Sequence, residues 1–308
     1  MRIAVDLLGG DQAPAVVVDG ALLACRADPA LHLLLVGPAP VAEEARAAFP
    51  APDRARVSTR AAAGVVGMGD APTRARHDTT VRIAAAAVSG GEADGFVSAG
   101  ASGAVVTAAA LALGRWTRRP ALAATVPSLT GPVVLLDVGA NPEPEPSVLV
   151  AHATLGAAYA AVVHGVERPR VGLLSNGAEA GRGDQVRLAA ATGLAATRLP
   201  AGGRHIGNVE GHDVPLGGRA DVVVTDGFTG NVLLKGIEGA YALAGGRMRT
   251  DTAPRAAALL GVGGVAVVCH GAANGADLAS GIGLAAHLCR INAMARLAAA
   301  ARNLVEVS

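Results

Sequence analysis

The chain has 308 residues, of which 51% are hydrophobic but only 2% aromatic, and its formal net charge is +1. This length supports a large core, built here mainly from Ala, Val and Leu. The 41 glycines are too many for a helical bundle but suit a fold with many strand-to-helix turns. A near-neutral chain with so few aromatic side chains lacks both the basic field and the stacking platforms of nucleic-acid-binding proteins, so we expect no nucleic acid partner.

The predicted elements alternate between strands and helices along the whole chain. Strands are predicted at residues 2–6, 31–36, 57–59, 95–98, 121–126, 133–137, 170–174, 205–209, 222–224 and 265–269. Helices are predicted at residues 16–25, 41–49, 79–88, 104–113, 148–163, 184–197, from about Thr229 onward, and 276–300. We predict no regular structure for residues 245–258.

This alternation predicts an α/β fold, a three-layer doubly wound architecture with a mostly parallel sheet. The strands at residues 121–126 and 133–137 are joined by a short connection, so we expect that pair to be antiparallel. Nothing in the composition marks a linker, and we therefore predict a single domain over residues 1–308.

The cysteines indicate a reducing compartment. Cys25, Cys269 and Cys289 are widely spaced and form no C-x-x-C pair, which argues against zinc and against a disulfide framework. We therefore expect no metal and a cytoplasmic location. The chain opens on a predicted strand, so no signal peptide is expected. The most apolar helix, residues 148–163, falls short of the roughly 20 residues of a membrane span and is predicted to be buried.

Glycine-containing turns follow most of the predicted strands, and each pairs Gly with Asp, Asn, Ser or His. Glycine allows the backbone to approach a ligand closely, and the N-termini of the following helices carry partial positive charge. Ligands of open α/β sheets bind at the carboxyl ends of the strands, so these turns favour a small anion such as phosphate in a single cleft. The same residues are common in purely structural turns. The turns are residues 9–11, 98–103, 137–141, 176–181, 207–210, 226–231 and 270–271.

Three common catalytic motifs are missing from the sequence. No G-x-x-x-x-G-K-[ST] loop occurs, residues 100–103 lack the full G-x-G-x-x-G pattern, and no G-x-S-x-G elbow is found. These absences argue against a P-loop enzyme, a dinucleotide site and a serine hydrolase. An enzyme that uses phosphate as its nucleophile needs no activated side chain.

Several sequence blocks resemble one family. They are M-R-I-A-V-D-L-L-G-G-D at the start, A-D-G-F-V-S-A-G-A-S-G-A at residues 93–104, G-P-V-V-L-L-D-V-G-A-N at residues 131–141 and A-D-V-V-V-T-D-G-F-T-G-N-V-L-L-K at residues 220–235. In this order they resemble the phosphate:acyl-ACP acyltransferase family (PlsX). The resemblance implies an isopropylmalate-dehydrogenase-like, Rossmann-related fold. It also implies conversion of acyl-ACP and inorganic phosphate to acyl phosphate and ACP, a step that feeds phospholipid synthesis, with no cofactor.

The residues that match the family blocks supply the candidate site, in which phosphate would attack the thioester carbonyl directly. The catalytic candidates are Asn231, Lys235, Asp226 and His270. The phosphate- and substrate-binding candidates are Gly9, Gly10, Asp11, Ser98, Gly100, Ser102, Gly103, Gly139, Asn141, Asn208, Gly227, Thr229 and Gly230. For each of them, capping of a turn is the structural alternative.

The acidic residues at the strand ends have a separate predicted role. Carboxylates repel phosphate, so Asp6, Asp11, Asp137 and Asp226 are predicted to hold loop N–H groups or His270. Asp226 and His270 are also the candidates for a proton relay, although a histidine at a strand end is more often structural.

The predicted partners are acyl carrier protein, an acyl chain, inorganic phosphate and a second copy of the chain in a homodimer. Because the carrier protein is acidic, its docking surface should be basic. The alternative is that these arginines are simply solvated. The docking candidates are Arg74, Arg76, Arg115, Arg118 and Arg119.

The chain departs from the family pattern at two notable places. Ala101 stands where the family has Asn, and the long insertion that follows the helix from Thr229 is reduced to residues 245–258. The second change weakens the expectation of peripheral membrane contact. These departures leave alternatives open: a divergent paralogue acting on acyl-CoA or a pathway-specific carrier, or a catalytically inactive binding protein. A dehydrogenase on the same fold is disfavoured because the dinucleotide fingerprint is missing.

Overall fold

The computed structural model describes residues 1–67, 69–73, 78–244 and 255–305, with backbone only at residues 302–305. The strands are β1 (Arg2–Asp6), β2 (His32–Gly37), β3 (Val57–Ala61), β4 (Gly95–Ser98), β5 (Ala121–Ser128), β6 (Gly131–Leu136), β7 (Arg170–Leu174), β8 (Arg204–Val209), β9 (Val222–Val224), β10 (Ala256–Leu260) and β11 (Val265–Cys269). The helices are α1 (Ala15–Ala27), α2 (Ala39–Ala47), α3 (Ala51–Arg54), α4 (Thr80–Ser89), α5 (Ser102–Leu113), α6 (Pro146–His164), α7 (Gln185–Ala196), α8 (Asp213–Leu216), α9 (Gly227–Leu243), α10 (Gly275–Arg290) and α11 (Ala293–Val305).

The chain forms two compact units. The first contains Met1–Pro120 and Pro254–Met294, and the second contains Ala121–Ala253 and Ala295–Ser308. The single domain predicted for residues 1–308 stays a prediction.

The sheet of the first unit has the strand order β3-β2-β1-β4-β11-β10. All its neighbours pair in parallel except β10 and β11, which are antiparallel. Helix α10 packs on β1, β4, β10 and β11 and against α1, whereas α4 packs on β1, β2 and β4 and against α5. The central strands are buried along nearly their whole length, as expected for a parallel sheet covered by helices. The carboxyl ends of β1, β4 and β11 therefore meet at one edge.

The sheet of the second unit has the order β5-β6-β9-β7-β8. Strands β5 and β6 form the antiparallel pair that the sequence predicts, and β6, β9, β7 and β8 pair in parallel. Helix α6 packs on β6, β7 and β9 and against α7, while α9 contacts β6. Here too the carboxyl ends of the parallel strands share one edge.

Helix α6 is a core helix. It is 19 residues long, and by length and composition alone it could cross a membrane. Most of that apolar stretch is buried inside the unit, with His152 and Tyr159 fully enclosed. The predicted burial is confirmed, although the helix is three residues longer than the 148–163 predicted from sequence.

The α/β class with mostly parallel strands is confirmed, and several strands, among them β1, β4, β7, β9 and β11, have the predicted bounds. Two predictions were wrong. Strand β10 (Ala256–Leu260) begins within residues 245–258, for which no regular structure was predicted, and it was missed because its Ala-rich sequence has low strand propensity. The single helix predicted over residues 276–300 is two helices, α10 and α11, separated at Asn292, whose φ of 51° ends a right-handed helix.

Candidate functional site

In the first unit, Asp6 and Ser98 join the ends of β1 and β4. The Ser98 hydroxyl donates to Asp6 Oδ2 at 2.7 Å, and the Leu8 N–H donates to Asp6 Oδ1 at 3.2 Å. Burial raises the pKa of Asp6, and the neighbouring Thr80 hydroxyl together with the hydrogen bonds from Ser98, Leu8 and Gly9 only partly opposes this rise. As predicted, this carboxylate organises its turn.

The turn at residues 9–11 lies against the turns that follow β4 and β11. A Cβ on Gly9 would come within 2.8 Å of the Gly100 N atom, so only glycine fits there. The Asp11 N–H donates to the Gly271 carbonyl at 2.8 Å. Three of the predicted turns, residues 9–11, 98–103 and 270–271, therefore come together in this unit.

Ser98 already uses its hydrogen-bonding groups inside the protein. Its single O–H goes to Asp6, and its oxygen accepts the Gly100 N–H at 3.0 Å. Direct donation to phosphate would require the bond to Asp6 to break. The ligand role of Ser98 stays a prediction, and the geometry favours a turn-stabilising role.

Helix α5 begins without a side-chain cap. Ala101 occupies the N-cap position and makes no side-chain hydrogen bond. Its carbonyl accepts the N–H groups of Ala104 and Val105. The N–H groups of Ser102 and Gly103, ahead of them, thus begin a 12-residue helix whose N-cap residue supplies no side-chain hydrogen bond. An uncapped N-terminus at the carboxyl end of a parallel strand suits an anion.

His270 is exposed at the end of β11. Its Nδ1 accepts the Ala272 N–H at 3.2 Å, which leaves the ring proton on Nε2 in the neutral form. The side chain is therefore held by its own turn, with Nε2 available to a proton acceptor.

In the second unit, Asp137 folds the loop after β6 around its carboxylate. Oδ1 accepts N–H groups from Leu122, Gly139 and Ala140, at distances from 3.0 to 3.2 Å. Oδ2 accepts the backbone and side-chain N–H groups of Asn141, at 2.7 and 2.9 Å. Asp137 is fully buried. It is the loop organiser that the sequence predicts, and it orients Asn141 and Gly139.

The same unit contains an ion pair between Arg187 and Asp226. Arg187 Nη2 lies 2.5 Å from Asp226 Oδ2, and Asp226 Oδ1 accepts the Thr229 N–H at 2.7 Å as the N-cap of α9. Burial opposes ionisation of Asp226, but the hydrogen bonds from Thr229 and the charge of Arg187 outweigh it and lower the pKa. At neutral pH Asp226 is therefore an ionised capping group, which makes it a poor proton donor.

The start of α9 presses against the loop that Asp137 organises. The Gly227 N–H donates to the Asn141 carbonyl at 2.7 Å, and Asn231 Nδ2 donates to the Val138 carbonyl at 3.0 Å. A Cβ on Gly230 would lie 2.0 Å from the Asp137 carbonyl oxygen, an impossible distance. The turns at residues 137–141 and 226–231 therefore form one assembly. Among the described residues, the second Asn231 N–H has no hydrogen-bond acceptor, and the ligand role of Asn231 stays a prediction.

Asn208 supports the loop after β7. Its Nδ2 donates to the carbonyls of Glu179 and Arg182 at 3.0 and 3.2 Å, which uses both of its N–H groups. In the same loop, Asn176 Oδ1 accepts the Gly183 N–H. The ligand role of Asn208 stays a prediction, and its contacts are those of a loop-stabilising residue.

Other predicted residues lie on the surface. Lys235 is exposed on α9, one turn beyond Asn231. Arg115, Arg118 and Arg119 are exposed on the segment after α5, where the Trp116 indole N–H donates to the Val262 carbonyl at 2.9 Å. Arg74 and Arg76 lie outside the described residues. Within the described ranges, no group of three or more His, Cys, Asp or Glu side chains could hold a metal ion.

Sequence reasoning missed Arg187. It binds the ends of β7 and β9 together through Leu174 and Asp226, yet no motif marks it. One signal was available: a basic residue in the first turn of α7, three positions after the capping Asp184, is unfavourable for the helix dipole unless it has acidic partners. The predicted convergence of all seven turns on a single cleft stays a prediction.

Comparison with known proteins places these features in a family. Residues 1–252 match the family described as fatty acid synthesis protein. A phosphate acyltransferase from Syntrophomonas wolfei is 38% identical over 304 residues, covering 92% of this chain and 93% of the relative. Another, from Heliobacterium modesticaldum, is 40% identical over 303 residues, covering 88% and 89%. Among solved structures, a branched-chain phosphotransacylase from Enterococcus faecalis has a TM-score of 0.67 at 15% identity, covering 94% of this chain and 99% of that one. The structural likeness establishes the fold alone.

Proposed function

This chain belongs to the fatty acid synthesis protein family and is an acyltransferase, and we propose that it moves the acyl group of acyl-ACP onto inorganic phosphate. The products are an acyl phosphate and the free carrier thiol. Transfer of an acyl group to phosphate is the activity named for its relatives. The choice of acyl carrier protein as the carrier of the acyl group is our proposal for this chain.

The observation that carries the proposal is the uncapped start of α5. The N–H groups of Ser102 and Gly103 follow β4 directly, beside the turn at residues 9–11. Backbone donors aimed at a developing negative charge stabilise a tetrahedral oxyanion, and they need no reorganisation during the reaction. The Ser102 hydroxyl adds a neutral donor at the same helix end.

The chemistry requires positioning rather than an activated side chain. A phosphate oxygen attacks the thioester carbonyl carbon and forms a tetrahedral oxyanion. The C–S bond then breaks, the carbonyl re-forms as a mixed anhydride, and the thiolate takes a proton from solvent. Holding the two reactants in line supplies up to roughly 7–11 kcal/mol of the barrier reduction.

The proposed docking surface for the acidic carrier is the exposed arginine segment after α5. Arg115, Arg118 and Arg119 are close in sequence, and the hydrogen bond from Trp116 holds their segment against Val262, which lies in the loop before β11. Rim charges of this kind act mainly on the association rate. We expect Arg115→Glu with Arg118→Glu to raise KM for acyl-ACP severalfold, while Arg26→Glu, a charge change on the exposed end of α1, leaves KM unchanged.

The acyl phosphate product has a chemical consequence for the next reaction. An acyl phosphate is an activated acyl donor, so the next enzyme must be an acyltransferase, here proposed to begin phospholipid synthesis in the cytoplasm. A homodimer is proposed as well. Phe228 and Val232 are exposed one turn apart on α9 and offer an apolar stripe for a second copy. Light scattering after size exclusion measures the mass.

The test of the proposed activity is phosphate-dependent thioester cleavage. The purified chain is incubated with acyl-ACP or acyl-CoA over a series of chain lengths, and free thiol and acyl hydroxamate are measured with and without phosphate. We expect thiol release only with phosphate, and faster release with acyl-ACP than with acyl-CoA. Faster release from acyl-CoA would overturn the choice of carrier. No phosphate-dependent release from either thioester would overturn the acyl transfer itself.

A further inference from the structure

The first turn of α4 contains buried hydrogen-bond donors that the fold leaves unpaired. Thr79 Oγ1, Thr80 Oγ1 and Arg82 Nη1 are shielded from solvent and have no hydrogen-bond partner among the described residues. Thr79 is 6% exposed and Thr80 is fully buried. Buried polar groups are nearly always hydrogen-bonded, so three orphans within four residues require an explanation.

The local electrostatics favour an anion at this position. Thr79 has the extended backbone of an N-cap residue, with φ of −102° and ψ of 157°, but its side chain makes no capping bond. The first turn of α4 contains no acidic residue, and Arg82 adds a positive charge near the positive end of the helix dipole. A cation there is unfavourable unless a negative ligand offsets it.

The start of α4 also lies beside the candidate site of the first unit. The Thr80 hydroxyl lies next to the Asp6 carboxylate at the end of β1, where it lowers the pKa of that carboxyl. Helix α4 packs against α5, whose uncapped N-terminus follows β4. Both helices therefore begin at the carboxyl edge of the same parallel strands.

All three unpaired groups can donate hydrogen bonds, which a phosphate group accepts. Two hydroxyls and a guanidinium N–H form a set of donors, and a tetrahedral phosphate offers acceptor oxygens in several directions. We propose that Thr79, Thr80 and Arg82 form a subsite for a phosphate group at the N-terminus of α4. The subsite rests on the proposed function, because inorganic phosphate is the co-substrate there. The phosphate of a phosphopantetheine arm has the same chemistry.

Thr79→Val separates a ligand role from a structural one. A capping threonine loses a hydrogen bond when it is replaced, and the protein loses stability. Thr79 has no such bond, so we expect the variant to keep or raise the Tm of the free protein. We expect it to weaken phosphate binding about tenfold, the usual effect of losing one charge-assisted hydrogen bond.

The measurement is the rise in Tm with inorganic phosphate, and separately with 4′-phosphopantetheine, for the full chain. Arg82→Met is the second variant, since it keeps the aliphatic stem and removes the charge. Thr107→Val is the matched control. Its hydroxyl, in the same unit, is already bonded to the Gly103 carbonyl at 2.8 Å, so this variant should lose some stability and keep the ligand-induced shift.

The outcomes separate the ligand sources and the two proposals. A phosphate shift that is lost in Thr79→Val and Arg82→Met supports the subsite for inorganic phosphate, and loss of only the phosphopantetheine shift assigns it to the carrier arm. Unchanged shifts in both variants, or no shift in the wild type, would overturn the subsite whatever the turnover. If the wild-type protein shows no turnover, but its phosphate-induced rise in Tm is lost in the variants, the result would count against acyl transfer and still support the subsite.

Discussion

Arg187 Nη2 contacts Asp226 Oδ2 at 2.5 Å, and this ion pair connects the end of β7 to the cap of α9. The Arg187 side chain is 11% exposed and that of Asp226 12%. Arg187 Nε also donates to the Leu174 carbonyl at 2.7 Å. Asp226 in turn holds the Thr229 N–H. The position of the α9 N-terminus therefore depends on a guanidinium that is 39 residues away in sequence.

Replacing Arg187 should destabilise the second unit and displace α9. We expect Arg187→Met to lower the free energy of unfolding by about 3 kcal/mol, since it leaves the Asp226 carboxylate buried and unpaired. Urea unfolding measures this loss. Arg187→Met with Asp226→Asn should recover part of it, because the double variant leaves no unpaired charge. A single-variant loss below about 0.5 kcal/mol would show that the pair contributes little.

A comparable ion pair, between Arg170 and Asp221, lies at the opposite ends of the strands and should make stability depend on pH. Arg170 contacts Asp221 Oδ1 and Oδ2 at 2.7 and 3.0 Å. Burial raises the pKa of Asp221, but the hydrogen bonds from Arg170 outweigh burial and lower it. The stabilisation is therefore present above the ordinary Asp pKa and disappears as pH falls through the lower pKa of the folded state.

Asp221→Asn is accordingly expected to be less stable than the wild type at neutral pH. The difference should shrink below about pH 4, as the wild-type carboxyl takes up its proton. Urea titrations across the acid range measure it. A gap between the two proteins that stays constant with pH would mean that packing rather than charge accounts for it. Turnover at neutral pH should change little, since this pair lies at the amino ends of the strands.

Asn231 is expected to act on the reaction rather than on the fold. Its Nδ2 bond to the Val138 carbonyl joins α9 to the loop of Asp137, and its second N–H is the one available to a reacting oxygen. We expect Asn231→Ala to lower kcat by roughly 10²-fold, the usual effect of losing an oxyanion donor. The Tm should fall by only a few degrees, corresponding to about 1 kcal/mol for one hydrogen bond.

The control for Asn231 is Asn208→Ala. Both N–H groups of Asn208 bind loop carbonyls, so its loss should reduce stability more than turnover. Wild-type kcat in Asn231→Ala would remove that residue from the reaction and leave it as a link between α9 and its neighbouring loop.

Ala101→Asn should stabilise the protein. Ala101 occupies the N-cap of α5 without a side-chain bond, and Asn is among the best capping residues. The expected gain is about 1 kcal/mol in the free energy of unfolding. Ala101→Leu, which cannot cap, is the matched control and should give no gain. A gain of similar size in both variants would contradict the capping explanation.

The sequence indicated most of the elements and the turns because their signals are local. The run Val222–Val224 predicted a strand, and Asp226 followed by Gly227 predicted the break before α9. The roles of Asp6, Asp137 and Asp226 also followed from charge, since carboxylates at strand ends are more useful to N–H groups than to phosphate. Strand β10 escaped prediction because Ala256 and its neighbours qualify as a strand only through burial between other elements.

Local sequence by itself therefore determined the strand-turn-helix order, the glycine turns and the family blocks, because each depends on residues close together in the chain. Only the tertiary structure decided which hydrogen-bonding groups remain available. The Ser98 hydroxyl is bonded to Asp6, both Asn208 N–H groups are bonded to a loop and Arg187 is paired with Asp226, whereas the hydroxyls of Thr79 and Thr80 have no hydrogen-bond partner among the described residues. Each polar group makes only a limited number of hydrogen bonds, so a side chain can bind a ligand only if residues distant in sequence have not already bonded to it. Local sequence patterns do not predict such long-range pairs.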